Sequence, residues 1–189
     1  MKNIILILVI ALWSLKSNAQ IEKLSGPRFG VTFLSAGSAA DFIHDGFDFD
    51  DNSQKYGSTG SAFITQYGWQ WESRFADGGG NITGIVEWIA LVGGMEQGRF
   101  LPSISSVVGV RTDNGFEVGV GPNLSLSGVG MVFGAGYNLK SGNLNIPVNI
   151  VFMPGKQKKG TVYNNGISED YSYNSGTRVS LMLGFNMSK

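Results

Sequence analysis

From Ala62 to Phe75 the chain reads AFITQYGWQWESRF, and two kinds of residue occupy strictly alternating positions. Phe63, Thr65, Tyr67, Trp69, Trp71, Ser73 and Phe75 fall on one side of an extended backbone; Ile64, Gln66, Gly68, Gln70, Glu72 and Arg74 fall on the other. A period of two is that of a β-strand with unlike faces. Such a strand must hide its aromatic side from water. A soluble sheet turns that side into its own core, whereas a membrane barrel turns it toward lipid, and the two choices imply different functions.

Seven further segments alternate in the same way. RFGVTFLS, from Arg28, sets Phe29, Val31 and Phe33 on one face. NITGIVEWIALVG, from Asn81, sets Ile82, Val86, Trp88, Ala90 and Val92 against Thr83, Ile85, Glu87 and Leu91. FLPSISSVVGVRT, from Phe100, precedes a strand beginning at Phe116; then come VGMVFGAGYNL, LNIPVNIVF and TRVSLMLGFNM. Matching apolar faces across the turns predicts register. Val110 opposite Val118 leaves Asp113, Asn114 and Gly115 as a three-residue hairpin loop, with Gly at the left-handed position, and sets Arg111 opposite Glu117. The same exercise pairs Leu126 with Val129 around Ser127 and Gly128, and Leu139 with Leu144 around Ser141 and Gly142. Pro122 and Pro147 lack a ladder donor, which predicts bulges. The two long connections, 36–61 and 154–175, lie at the same end of an up-and-down sheet.

The first residues, MKNIILILVIALWSLKSNAQ, combine Lys2, an apolar run from Ile4 to Leu12, and Ser17 and Ala19 spaced as a small-residue cleavage site. This predicts a signal peptide over 1–19, since the run is shorter than the roughly 20 residues of a spanning helix. Residues 20–27 are then expected as a periplasmic lead, and 28–189 as one β-domain. The sequence has no cysteine, so neither a lipid-bearing cysteine nor a disulfide is available. Without Lys2 and Lys16, 12 basic side chains stand against 14 acidic ones, too even a balance for electrostatic capture of nucleic acid. The 28 glycines and 5 prolines suit tight turns and crowded sheet interiors rather than disorder.

Eight is an even strand number and the smallest at which outer-membrane barrels close, with side chains filling the bore. Strands of this length, tilted, span an apolar band of about 25 Å. The polar faces are rich in Gly, Ser, Asn and Gln, as a narrow bore requires. The expected fold is therefore all-β, an eight-stranded antiparallel up-and-down transmembrane β-barrel. A soluble, lipocalin-like periplasmic barrel binding an apolar ligand remains the alternative. The export signal, the eight alternating strands, the apolar last strand TRVSLMLGFNM and the absence of cysteine together resemble the small outer-membrane β-barrel proteins of Gram-negative bacteria, especially the Bacteroidetes type. The resemblance implies an outer-membrane location, lipid as solvent, and insertion by the barrel-assembly machinery. The chain departs from that pattern at its end, where Met187, Ser188 and Lys189 follow the last aromatic, Phe185.

The inward polar face collects Glu72, Arg74, Glu87, Arg111, Glu117 and Arg178, three acids and three bases. Buried charge must be paired, so these residues are expected to form a structural polar network with Gln66, Gln70, Asn138, Asn145, Asn149 and Ser180 that plugs the bore. In the first long loop Asp41, Asp45, Asp48, Asp50 and Asp51 form an acidic cluster. Asp48, Asp50 and Asn52 have the spacing that opens an EF-hand, but Ser53 and Thr59 break the motif, so no metal is expected. His44 is the single histidine. No serine sits in a nucleophile motif, so the chain is read as non-catalytic and without cofactor, a lipid-modifying enzyme being the alternative. The glycines of GVGMVFGAG alternate within a strand, which reads as bore packing. The loop over 154–175 has a basic stem, GKQKKG, and a Tyr/Asn/Ser-rich tip suited to surface recognition of an extracellular or envelope partner.

Overall fold

The computed structural model describes residues 23–46, 60–77, 81–164 and 167–188. The expected signal peptide and Asp48, Asp50 and Asp51 lie outside these residues. The wall of the molecule consists of β1 (Lys23–Leu34), β2 (Ala62–Asp77), β3 (Ile82–Gly93), β4 (Leu101–Thr112), β5 (Phe116–Ser125), β6 (Gly128–Ser141) and β7 (Leu144–Met153). Its eighth stave is formed by β10 (Arg178–Gly184) and β11 (Asn186–Ser188) in one line. Each stave pairs antiparallel with its chain neighbours, and β1 pairs with both β2 and the last stave, so the sheet closes on itself. The fold is the all-β, eight-stranded antiparallel barrel that the alternation predicts.

Strand β1 begins at Lys23 and is paired with β2 from there, so residues 23–27 belong to the wall rather than to a periplasmic lead. The break between β10 and β11 falls at Phe185, whose amide donates to the Pro27 carbonyl at 3.1 Å. Proline has no N–H to return, so the ladder lapses there while the register continues.

Register is borne out at one turn and corrected at two. Val110 opposes Val118 and Arg111 opposes Glu117, with Gly115 at φ 93° closing the turn. At the next hairpin Ser125 faces Gly128, and Leu126 and Ser127 form the turn, so Val129 pairs with Leu124 rather than Leu126. Likewise Ser141 faces Leu144 around Gly142 and Asn143, which pairs Leu139 with Ile146. Both corrections are slips of two residues, which leave every side chain on its original face and are therefore invisible to a two-fold pattern. The bulges expected at Pro122 and Pro147 do not form. Register runs unshifted through both, and at Pro122 the β4–β5 ladder merely skips. A Cβ on neighbouring Gly121 would fall 1.8 Å from the Ser106 carbonyl oxygen, so only glycine permits that approach. A register shift occurs instead between Arg74 and Ala76, where Phe75 is the extra residue.

The aromatic face looks outward. Tyr67, Trp69, Trp71, Trp88, Phe133 and Leu181 are exposed, Trp88 at 54%, whereas Glu72 and Arg111 are buried. Cross-strand pairs Phe33–Phe63 and Phe133–Phe152 lie toward the end that carries the long connections, here the loop end, and Trp71–Trp88 and Phe116–Tyr137 toward the end that carries the chain termini. A lipocalin-like barrel requires the opposite facing.

Neither long connection is simply a loop. Ser38–Asp45 forms a helix, α1, and the second connection folds into a hairpin of β8 (Gln157–Asn164) and β9 (Ile167–Asn174). The sequence SAADFIHD places Ala39, Ala40 and Ile43 on one side of a helix, with Asp41 in the first turn and His44 in the last, as the macrodipole favours.

Candidate functional site

Alternation sends every second side chain into the bore, where the charged ones meet. Arg111 on β4 reaches past β3 to Glu72 on β2, with Nη1 donating to Oε1 at 2.5 Å and Nη2 to Oε2 at 2.8 Å. Its Nε donates to Glu117 Oε2 on β5 at 2.8 Å. Glu117 Oε1 accepts from Asn149 Nδ2 on β7 at 2.5 Å, and Asn149 Oδ1 accepts from Arg28 Nη1 on β1 at 2.8 Å. Arg28 Nε donates to Gln70, and Gln70 Nε2 donates to Glu87 on β3 and, at 3.5 Å, to Glu72. The chain of bonds therefore closes into a ring that braces staves with no shared ladder.

Four of the six expected network residues, Glu72, Glu87, Arg111 and Glu117, meet here. Arg178 does not. Arg178 is the first residue of its stave and donates to Ser127 Oγ at the loop end, while Arg74 follows Glu72 by two residues on β2, beside the Phe75 bulge. Parity assigns a face but not a height, so the pattern alone grouped residues from different levels. Arg28 is the residue the pattern reading overlooked. It shares the parity of Gly30 and Thr32, and that signal was available once Phe29 was placed outward.

The bore is not uniformly polar. Beside the ring the inward side chains Ile85, Val107, Val132 and Met182 are buried and apolar. Nor is it filled. These side chains and Arg28, Glu87, Glu117 and Asn149 line a cavity with about 80 Å³ of free space. That is room for several waters, since each needs roughly 10–15 Å³ on this measure. The cavity is open at Gly134, where a Cβ would find nothing closer than the Gly119 oxygen at 4.0 Å, whereas a Cβ on Gly119 would meet Val107 Cγ1 at 2.6 Å.

Helix α1 stoppers the loop end. Ala39, Ala40 and Ile43 pack on Leu34, Ala62, Ile64 and Leu101, all inward residues at the mouth of the bore. Arg99 fastens it by donating to the carbonyls of Ile43 and His44, each at 3.2 Å, and His44 Nε2 lies 3.1 Å from the Ser61 carbonyl oxygen. Lys156 Nζ donates to the Val129 carbonyl at 2.8 Å and Lys158 Nζ to that of Ser127, tying the root of the β8–β9 hairpin to the β5–β6 turn. The short turn at Met95–Gln97 folds back on β2, where Glu96 accepts from the Thr65 amide at 2.7 Å and hydroxyl at 2.6 Å. Slight desolvation pushes the Glu96 carboxyl up, but these two bonds outweigh it and hold the group below its ordinary value.

No protein-family model matches the chain, and no curated protein matches it. Among solved structures the chain is similar to the outer membrane protein AlkL, determined by solid-state NMR in DMPC lipid bilayers, at 13% identity and a TM-score of 0.49, covering 92% of this chain and 93% of that one. It is similar also to Ail, the attachment invasion locus protein of Yersinia pestis, at 14% identity and a TM-score of 0.25, covering 89% of this chain and 99% of that one. Likeness at this level is too slight to carry either protein's role to this chain.

Proposed function

We propose that this chain is an outer-membrane β-barrel with a structural or surface-interaction role, presenting the elements of connections 36–61 and 154–175 to an extracellular or envelope partner. One observation carries the reading. In a closed wall the bulky apolar side chains face out while Glu72, Arg111 and Glu117 are buried in the bore. Hydrocarbon is the solvent that suits such a surface, and closure satisfies the backbone groups that lipid cannot. The export signal expected over 1–19 supplies the route, and the barrel-assembly machinery the insertion step.

The site is non-catalytic in this reading: the buried carboxylates brace the wall instead of meeting a substrate. Envelope fractionation with electrophoresis of unheated and heated samples tests the location. A protein recovered with outer membranes, soluble only in detergent and shifted in mobility by heating, is expected. Recovery in the aqueous periplasmic fraction would overturn the proposal. Replacing His44 by alanine is expected to leave envelope lipid profiles unchanged; an altered profile would favour the lipid-modifying alternative.

A further inference from the structure

In the ring and the cavity beside it, carboxyl groups outnumber guanidiniums. Three carboxyl groups, Glu72, Glu87 and Glu117, face two guanidiniums, Arg28 and Arg111, so one carboxyl has no guanidinium of its own. The surplus can be traced to one group. Glu72 holds a bidentate arginine and Glu117 accepts from Arg111 and Asn149, whereas Glu87 has its nearest cation, Arg28 Nη2, at 3.9 Å. The contacts of Glu87 among the described residues are all at Oε1, from Gln70 and that distant guanidinium. Its side chain is nine-tenths buried and lines the cavity, whose other surfaces are largely Ile85, Val107, Val132 and Met182. A carboxylate with an uncommitted oxygen, at the edge of an apolar chamber, is matched by a cation that carries a short apolar body.

We propose that the chamber is a binding site for a small alkylammonium ion, with the ammonium on Glu87 and the alkyl chain between Val132, Val107 and Met182 beside Gly134. The site rests on the geometry of the bore and not on the location of the barrel, so failure of one leaves the other standing. Arg74 and Arg178 do not line the chamber. A neutral guest would fill the space without offering the Glu87 carboxylate a partner.

The test uses the full mature chain folded in detergent micelles, with n-butylammonium chloride as the probe and methyl NMR of Val107, Val132 and Met182 as the readout. Saturable shifts confined to these methyl groups are expected, with n-butanol and ammonium chloride each at least about tenfold weaker, as loss of one of two contributions implies. Glu87→Gln should weaken n-butylammonium by at least about tenfold and leave n-butanol unchanged. Gly134→Leu should abolish binding by filling the chamber, and Gly134→Ala, which adds one methyl group where the structure has room, should weaken it if the leucine variant does not fold. Equal affinity for n-butanol and n-butylammonium would overturn the proposal, as would binding that survives both Glu87→Gln and Gly134→Ala. Heat-modifiable migration of each variant reads barrel folding separately.

Discussion

Arg111 joins staves that share no backbone ladder, so its replacement is felt across the bore. Arg111→Met leaves Glu72 and Glu117 without their cation in a buried site, and removing one partner of such a group costs about 3–5 kcal/mol. Equilibrium unfolding in detergent should show that loss, and Glu72→Gln added to Arg111→Met should recover part of it. At the loop end Glu96 gives a pH-dependent case. Its carboxyl titrates lower in the folded protein than in the unfolded chain, so its contribution is complete above the ordinary carboxylate range and is lost as pH falls through the folded value. A carbon-detected NMR titration should place Glu96 below a free glutamate, and Thr65→Val, which removes the hydroxyl donor, should bring it upward. At this scale parity made Glu72, Glu87, Arg111 and Glu117 legible, and Arg28 was equally readable. Their convergence on one level, with Arg178 held at the loop end, depends on strand tilt and stagger, which no local pattern encodes.

Among the elements, the staves were legible and the loop-end elements were not. Each stave repeats its two-fold pattern over several residues, whereas α1 offers eight, too few to show a helical period and too short to be stable alone. It exists because Ala39, Ala40 and Ile43 find apolar inward residues at the mouth. Ile43→Ala should therefore weaken docking of the helix by up to about 2–5 kcal/mol, the range for such truncations. Hydrogen exchange at Ala39–His44 should accelerate while the barrel amides stay protected; a barrel that unfolds with the helix would contradict this. The β8–β9 hairpin did leave a trace, since Asn165-Gly166 between alternating residues is a strong two-residue turn signal. Its basic and polar composition masked that signal. The structure pairs Asn164 with Ile167, and Gly160 lies directly against the Tyr171 ring.

For the whole molecule, what matters is which solvent meets which face. In a lipid-facing wall Leu181→Arg should cost about 2–4 kcal/mol near the bilayer midplane, measured by denaturant unfolding from lipid vesicles, because a charge in hydrocarbon finds no compensation. A change close to zero would show that water meets that face. By itself the sequence determined that the chain forms alternating strands, that one side of each is aromatic and the other polar, and where most chain reversals fall, because these depend on neighbours along the backbone. Only the tertiary structure decided that Arg28 completes a ring with partners far away in sequence and that Gly134 leaves a chamber beside it. Each of these depends on closure of the wall, which sets distances between residues that the chain keeps far apart.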